Sequence, residues 1–447
     1  MARKMKDSGI EWIGEIPEDW ETVKLKHLVL DRQAGVWGKD ENEDNLENNK
    51  VCIRIADFDY SRMSIRKDRE FTLRNYTDNE IAKCSLRKGD ILIEKSGGGE
   101  KTPVGRTIIW NEDFQALYAN FIERLRVDEN QIIPMFAQFC FFAFYGIGGS
   151  NLYFNQTTGI QNLDITGMMN DLRLPTANLS TQIKIVEIFD KKRKQIEKIK
   201  STTLQEIQIL EDYKKSVITE AVTKGLDKNV EMKDSGIEWI GEIPINSNIV
   251  RLKHLVSRNI TDGTHQTPDY EDKEKGYPFL SSKDITKGYI DWSDIKYITK
   301  NLHKKLQSET KVERDDILLA KNGTTGIAAI VDTDKVFDIY VTLALIRPNT
   351  KLINPKFLLY SINSLNSKKQ FSEHLVGIGV PNLHLNLIKN TFITVHNMGE
   401  QKRISDYLDY KCKTVDEIIS LKQKQLETLE EYKKSLIYEY VTGKKEV

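Results

Sequence analysis

The stretch MKDSGIEWIGEIP at residues 5–17 returns without a change at 232–244, and this repetition decides the architecture. The same 227-residue offset lays LKHLV at 25–29 on 252–256. A second repeat closes each half: LEDYKKSVITEAVTKG at 210–225 against LEEYKKSLIYEYVTGK at 429–444, now offset by 219, so the parts between differ in net length by 8 residues. A period this long exceeds that of solenoid repeats and lets each copy hold its own core. Between the fixed ends the likeness is faint but ordered. KGDILIEKSGG at 88–98 parallels RDDILLAKNGT at 314–324, each a turn, an apolar strand and a Gly-containing loop. IPMFAQFCFFA from Ile133 parallels NPKFLLYSINS from Asn354, each reading as a Pro-started amphipathic helix, and GIQNL at 159–163 parallels GVPNL at 379–383. Short β-rich runs (VCIRIADF, DILIEKS, RTIIW, FIERLRV) mixed with a helix or two give an α+β fold with an irregular sheet. Alike at the ends and different in the middle, the copies read as one mounting carrying two different readers.

Each copy ends on a long helix. No Gly or Pro interrupts Thr181–Val222, and apolar residues at Ile183, Val186, Ile196, Ile199, Leu204, Ile207, Leu210, Tyr213 and Val217 recur mostly at helical spacing. Val415, Ile418, Leu421, Leu426, Leu429, Tyr432 and Leu436 do the same in the second copy, and Ser180 and Gly225 are the expected start and stop of the first helix. A helix this long with one apolar face is not stable alone in water. The equivalent helix of the other copy is the expected partner, antiparallel about a pseudo-two-fold axis.

Composition and motifs exclude several functions. Lys+Arg and Asp+Glu both total 66, so bulk charge does not draw the chain to polyphosphate. Cys52, Cys84, Cys140 and Cys412 form no CxxC pair, which argues against a zinc site or a disulfide framework and for reduced thiols. The N-terminus lacks the apolar stretch of a signal peptide, and the run Ile132–Gly146 is too short to span a bilayer; a soluble, cytoplasmic protein is expected. SGGGEKTPVG at 96–105 fails as a phosphate loop because Glu100 stands between the glycines and Lys101. The seven histidines show no metal spacing, and no methyltransferase signature or dinucleotide fingerprint occurs. The expectation is recognition rather than catalysis, with no metal and no cofactor on this chain.

These features together resemble the specificity subunit of type I restriction-modification systems over nearly the whole chain. The resemblance rests on the repeated DSGIEWIGEIP, on KGDIL and RDDIL before a Gly loop, and on LSTQIKIVEIFD and MGEQKRISDYLD leading into the long helices. TDGTHQTPDYEDKEKGYPFLSSKDI from Thr261 looks like one class of target-recognition domain, and AGVWGKDENEDNLENNKVCIRIADFD from Ala34 like another. The resemblance implies two tandem α/β target-recognition domains (1–180 and 226–399), each followed by a long helix (181–225 and 400–447), the helices pairing as an antiparallel coiled coil. It implies that each domain reads one half of a split, asymmetric DNA site and that the helices set the spacer. It also implies docking of two methyltransferase subunits carrying S-adenosylmethionine, and of restriction subunits that use ATP and Mg. A stand-alone DNA-modifying enzyme and a scaffold that never touches DNA are the alternatives.

Bases in the major groove are read by Arg, Lys, Asn, Gln and small polar side chains. The candidates are Trp37, Lys39, Lys95, Ser96, Lys101 and Arg106 in the first domain, and His265, Gln266, Lys283, Lys321 and Asn322 in the second. Lys191, Lys192, Arg193 and Lys194 are expected to steer the central DNA backbone, while the acidic stretch Asp40–Glu47 is expected to face solvent or a methyltransferase. Trp12, Ile13, Trp239 and Ile240 in the identical segments, with Tyr213 and Tyr432 on the helices, are the candidates for partner docking; anchoring the segment to its own domain is the other role open to the tryptophans.

Overall fold

The computed structural model describes residues 3–157, 159–373 and 382–447. The chain forms two compact units, Met1–Thr203 with Lys424–Val447, and Leu204–Gln423. The cuts fall inside the two long helices, so each unit owns part of both.

The first unit is framed by β1 (Val29–Ala34), β2 (Asn49–Ile53), β3 (Thr72–Asn75), α1 (Asp78–Cys84), β4 (Ile91–Glu94), β5 (Thr107–Ile109), β6 (Ala116–Tyr118) and β7 (Ile122–Val127). One antiparallel sheet has the order β5-β4-β7-β1, and a second has the order β6-β2-β3 with β6 parallel to β2. Every residue of β4 is buried because the strand serves two cores. Alternate side chains point to opposite faces, so Ile91 and Ile93 join the main core while Leu92 joins the core under the second sheet. Through the main core runs α2 (Pro134–Gly146), started by its proline. The expected amphipathic helix is instead buried almost all round: Phe136 meets Trp20 edge-on at 6.3 Å, Phe139 meets Phe189 at 4.5 Å, and the buried Gln138 amide donates to Thr107.

The long helix α3 (Leu179–Lys224) follows. Its cap is Asn178, whose side chain accepts from the Thr181 N–H at 2.8 Å, rather than the expected Ser180, which donates to Asn178 instead. Gly225, at φ +75°, supplies the left-handed stop.

The second unit repeats the frame. Its elements are β8 (Thr261–Asp262), β9 (Tyr277–Leu280), β10 (Lys296–Ile298), α4 (Lys300–Glu309), β11 (Ile317–Ala320), β12 (Ala328–Ile330), β13 (Asp338–Ile339) and β14 (Leu343–Ile346). The sheet orders are β12-β11-β14-β8 and β13-β9-β10, with β13 parallel to β9. The strand β11 again alternates between two cores, Ile317 and Leu319 in one, Leu318 and Ala320 in the other. The proline-started α5 (Pro355–Asn363) buries Phe357, Leu358 and Ile362, and α6 (Met398–Val441) is the second long helix. Of the GVPNL parallel, residues 379–381 lie outside the described residues.

Within each unit the two long helices run antiparallel. The ion pair Lys200–Glu430 lies in the first unit, and Lys422–Glu206 (2.7 Å) and Lys214–Asp416 (2.6 Å) lie in the second, so rising numbers in α3 meet falling numbers in α6. The sequence stripe is not wholly buried. Ile196, Val415 and Leu436 are, but Leu204 and Leu421 stand 55% and 67% exposed, because the apolar positions wrap around the helix instead of keeping to one seam.

The helix ends explain the identical segments. In the first unit Leu436, Ile437 and Val441 at the end of α6 pack with Ile13, Ile16 and Trp20. Tyr438 Oη donates to the Trp12 and Ile13 carbonyls (3.2 and 3.3 Å), and Lys444 Nζ donates to Ile13 at 3.0 Å. In the second unit Ile218, Ala221 and Val222 at the end of α3 join Ile404 and Leu408, and Ile240 lies beside Val222 and Thr223. Each copy's opening is closed by the end of the other copy's helix.

Candidate nucleic-acid interface

The Gly loop leaving β4 is built for close packing. Gly98 (φ +66°) has no room for a Cβ, which would lie 2.7 Å from the Val104 nitrogen and 2.8 Å from Gln161 Oε1. Gln161 Oε1 accepts from the Val104 N–H at 3.1 Å, and Ser96–Gly97 pair in antiparallel fashion with Asn162 and Gln161.

This order corrects several of the residues proposed from sequence. Ser96 is buried, its hydroxyl 2.7 Å from Asn162 Oδ1. Arg106 is held by two hydrogen bonds to the buried Glu94 (2.9 and 3.1 Å), and its guanidinium lies 3.9 Å from the Tyr60 ring centre. Burial works against that charge, yet Glu94 and Tyr60 outweigh it and raise the Arg106 pKa. Both side chains brace the loop, so neither is free to reach a base. Lys95 lies 3.7 Å from Glu123. Lys101 is exposed at the tip, where Gly99 and Thr102 bridge, and makes no ion pair among the described residues. Lys39 is likewise exposed and without an ion pair among the described residues, its backbone bridged to Asn75. Beside it Trp37 is 41% exposed, with the Arg74 guanidinium 4.7 Å from its ring centre. The residues of the acidic stretch Asp40–Glu47 are exposed.

The basic run on α3 does not form one surface. Four consecutive residues of a helix spread around its circumference. Arg193 and Lys194 both pair with Asp190 (2.7 Å each); Lys194 lowers its pKa most, burial opposes this, and Arg193 adds to the lowering. Lys191 and Lys192 make no ion pair among the described residues.

In the second unit Lys321, at the end of β11, is only 6% exposed. Its ammonium is paired with Asp262 of β8, and its backbone bonds to Thr342 and Leu383, so it too is a structural residue. Asp262 also faces His265 Nε2 at 3.3 Å, which joins Lys321, Asp262 and the exposed His265 in one cluster. Gln266 extends it by accepting from Lys305 at 3.3 Å. Lys283 is bound to Asp294, its ammonium 3.0 Å from the carbonyl, and Asn322 is half-buried in a bridge to Asn382. The structure thus brings His265, Gln266 and Lys321 together and sets Lys283 to another contact.

Sequence reading missed α4. Leu302, His303 and Leu306 on one side of KNLHKKLQSE, with Lys300, Lys304 and Lys305 opposite, are the helical signal that finds it.

The docking residues also divide. Ile13 (0% exposed) and Ile240 (7%) are core anchors, so their expected role as partner contacts gives way to holding their segments in place. Trp12 is half-buried on the rim of a groove with Ile147, Leu152, Tyr153 and Arg173, edge-on to Phe144 at 5.4 Å; Trp239 is half-buried in the equivalent segment. On the helices Tyr213 and Tyr432 stay exposed, as do Ile199 and Ile418 at the same 219-residue offset. In each unit one such Ile and one such Tyr flank an interhelix ion pair: Ile199 and Tyr432 beside Lys200–Glu430, Ile418 and Tyr213 beside Asp416–Lys214.

The four cysteines are free and buried, no group of His, Cys, Asp or Glu among the described residues is arranged to hold a metal, and no helix among them is long and apolar enough to cross a membrane.

Two like frames with unlike loops define a tandem recognition protein. A family model for the type I restriction modification DNA specificity domain matches residues 17–208 and again 245–431, and the chain belongs to that family. Its relatives include the putative type I restriction enzyme MjaX specificity subunit of Methanocaldococcus jannaschii, 26% identical over 439 residues, covering 97% of this chain and 95% of that protein. The MjaVIII specificity subunit of the same organism is 26% identical over 292 residues, where the match spans 64% of this chain and 65% of the relative. Among solved structures, a chain from work on complex assembly and conformational transition of the type I R-M system aligns with TM-score 0.69 at 15% identity, covering 95% of this chain and 98% of that one. The HsdS subunit from Thermoanaerobacter tengcongensis aligns with TM-score 0.50 at 14% identity, over 96% and 98%.

Proposed function

We propose that this specificity subunit reads an asymmetric, bipartite DNA site, one half with each unit, and performs no chemistry itself. The observation that carries this is the frame used twice: identical sheet orders, with a glycine-braced loop and acidic α1 in one unit and a basic α4 beside the His265 turn in the other. Bases are told apart by side chains at the reading surface, so unlike loops on like frames read unlike halves. Lys39, Lys101, His265 and Gln266, all exposed, are the proposed contacts; Lys191 and Lys192 add phosphate attraction. The repeated exposed Ile and Tyr, with Trp12 and Trp239, form the mounting on which two methyltransferase subunits dock. Those subunits bring S-adenosylmethionine, and restriction subunits bring ATP and Mg; the assembly works in the cytoplasm. The test is methyl transfer to duplex DNA by the chain with and without its methyltransferase. Sequence-dependent transfer only in the assembly supports the reading. Transfer or cleavage by the chain alone makes it an enzyme, and binding indifferent to sequence and salt makes it a scaffold.

A further inference from the structure

The lysines of α4 gather unpaired positive charge on one short helix of the second unit. Lys300, Lys304 and Lys305 are exposed, and none makes an ion pair among the described residues. Lys304 and Lys305 point away from a face that fixes the helix, and Lys300 stands in its first turn. His303 Nδ1 sits 2.6 Å from the buried Asp338, its ring stacked on Tyr277 at 3.8 Å, and Gln307 donates to the same carboxylate at 2.8 Å. Burial raises the Asp338 pKa against the lowering effect of those two hydrogen bonds. Leu306 is buried beneath. The helix is therefore a rigid mount for three ammonium groups that have no acidic partner among the described residues. Lys296, also exposed, stands at its entry 4.3 Å from the ring centre of the half-exposed Tyr270.

Two comparisons give the row a ligand. First, α1 occupies the same place in the frame of the first unit, after the last strand of the second sheet, and carries the opposite charge. It has Asp78 and Glu80 against one lysine, with Glu80 committed to a capping box on Thr77 (2.8 Å), where α4 has three lysines against Glu309. A merely solvated helix has no need of that contrast. Second, Lys305 donates to Gln266, so the row runs into the exposed His265–Gln266 turn. Lys300 and Lys304 are separated by about 6 Å along the helix axis, far enough for each ammonium to meet its own phosphate.

We propose that Lys300, Lys304 and Lys305, with Lys296, form a phosphate-backbone contact for duplex DNA that serves the second half-site alone and seats the His265–Gln266 turn over the bases. The inference rests on the DNA-reading function above. It makes the two units unequal: the second draws more of its affinity from backbone charge, and the first from its loops.

The test compares the full chain, assembled with its methyltransferase, against Lys300→Gln/Lys304→Gln/Lys305→Gln and the matching triple Lys→Arg variant. Affinity for a fluorescent duplex is followed over a series of salt concentrations, with circular dichroism melts confirming the fold. Each phosphate contact contributes about 0.9 to the slope of log affinity against log salt, so the Gln variant loses roughly 2 to 3 from that slope. The Arg variant keeps it, and the methylated sequence stays the same in both. A folded Gln variant with the native slope overturns the proposal and leaves DNA reading intact. A native assembly that binds without salt or sequence dependence overturns DNA reading itself.

Discussion

Replacing Leu436 by alanine loosens the first unit, although the core it enters is built mostly from residues more than two hundred positions earlier. Leu436 has no solvent exposure and packs in the cluster with Ile13, Trp20 and Phe136. Truncating a leucine in such a site costs about 2–5 kcal/mol, the lost transfer energy plus the cavity left behind. Taking about 3 kcal/mol, amides that exchange through opening of that core exchange roughly 150-fold faster. Hydrogen exchange read by mass spectrometry resolves β4 and β7 of the first unit from β11 and β14 of the second. The expected result is lost protection in β4 and β7 with the second unit unchanged. Ile404→Ala, fully buried in the second unit, gives the reverse pattern. Equal loss in both units, or loss in β11 and β14 on changing Leu436, refutes the reasoning that each copy is closed by the other's helix end.

Lys321, buried and paired with the half-buried Asp262, makes Lys321→Ala a stability variant that loses about 1–3 kcal/mol, because Asp262 keeps only His265 as a partner; Lys101→Ala leaves the melting temperature unchanged and weakens only DNA binding, as paired melts and binding curves show. His396 is buried, its Nδ1 2.7 Å from the Ser247 hydroxyl and its Nε2 2.9 Å from the Val222 carbonyl. Burial lowers its pKa against the raising effect of that carbonyl and of Glu400. The unfolded chain therefore binds a proton that the folded chain refuses, so stability is full above the ordinary histidine value of about 6.5 and falls as pH drops through it. His396→Gln flattens that fall, measured by melts from pH 7.5 to 5.5. One helical turn inserted between Ile196 and Val222, matched by one in α6 to keep the ion-pair register, changes the spacer of the methylated site and leaves its half-site letters alone; altered letters at constant spacing refute the ruler.

The frame was legible because its signals are local. The exact repeat placed the copies, KGDIL and RDDIL placed β4 and β11, and unbroken helical spacing placed α3 and α6. Exchange of helix ends was not legible, since nothing in VTKG or VTGK says which copy it closes; that depends on packing between distant segments. The candidate site divided along the same line. Lys101 and His265 are exposed because their loops are polar and local. Lys321, Arg106 and Ser96 look like contacts in sequence, yet they meet Asp262, Glu94 and Asn162 on other strands, 59, 12 and 66 residues away, and are spent on the scaffold. Identity between copies marks a shared need without saying which, and at Ile13 and Ile240 that need is a core.

Methylome sequencing of cells carrying this chain with its methyltransferase bears most directly on two unlike readers sharing one mounting. The account predicts one bipartite motif with two different halves and a fixed spacer, and grafting the β8–β14 region of another family member changes one half only. A continuous or palindromic motif, or a graft that alters both halves together, contradicts it.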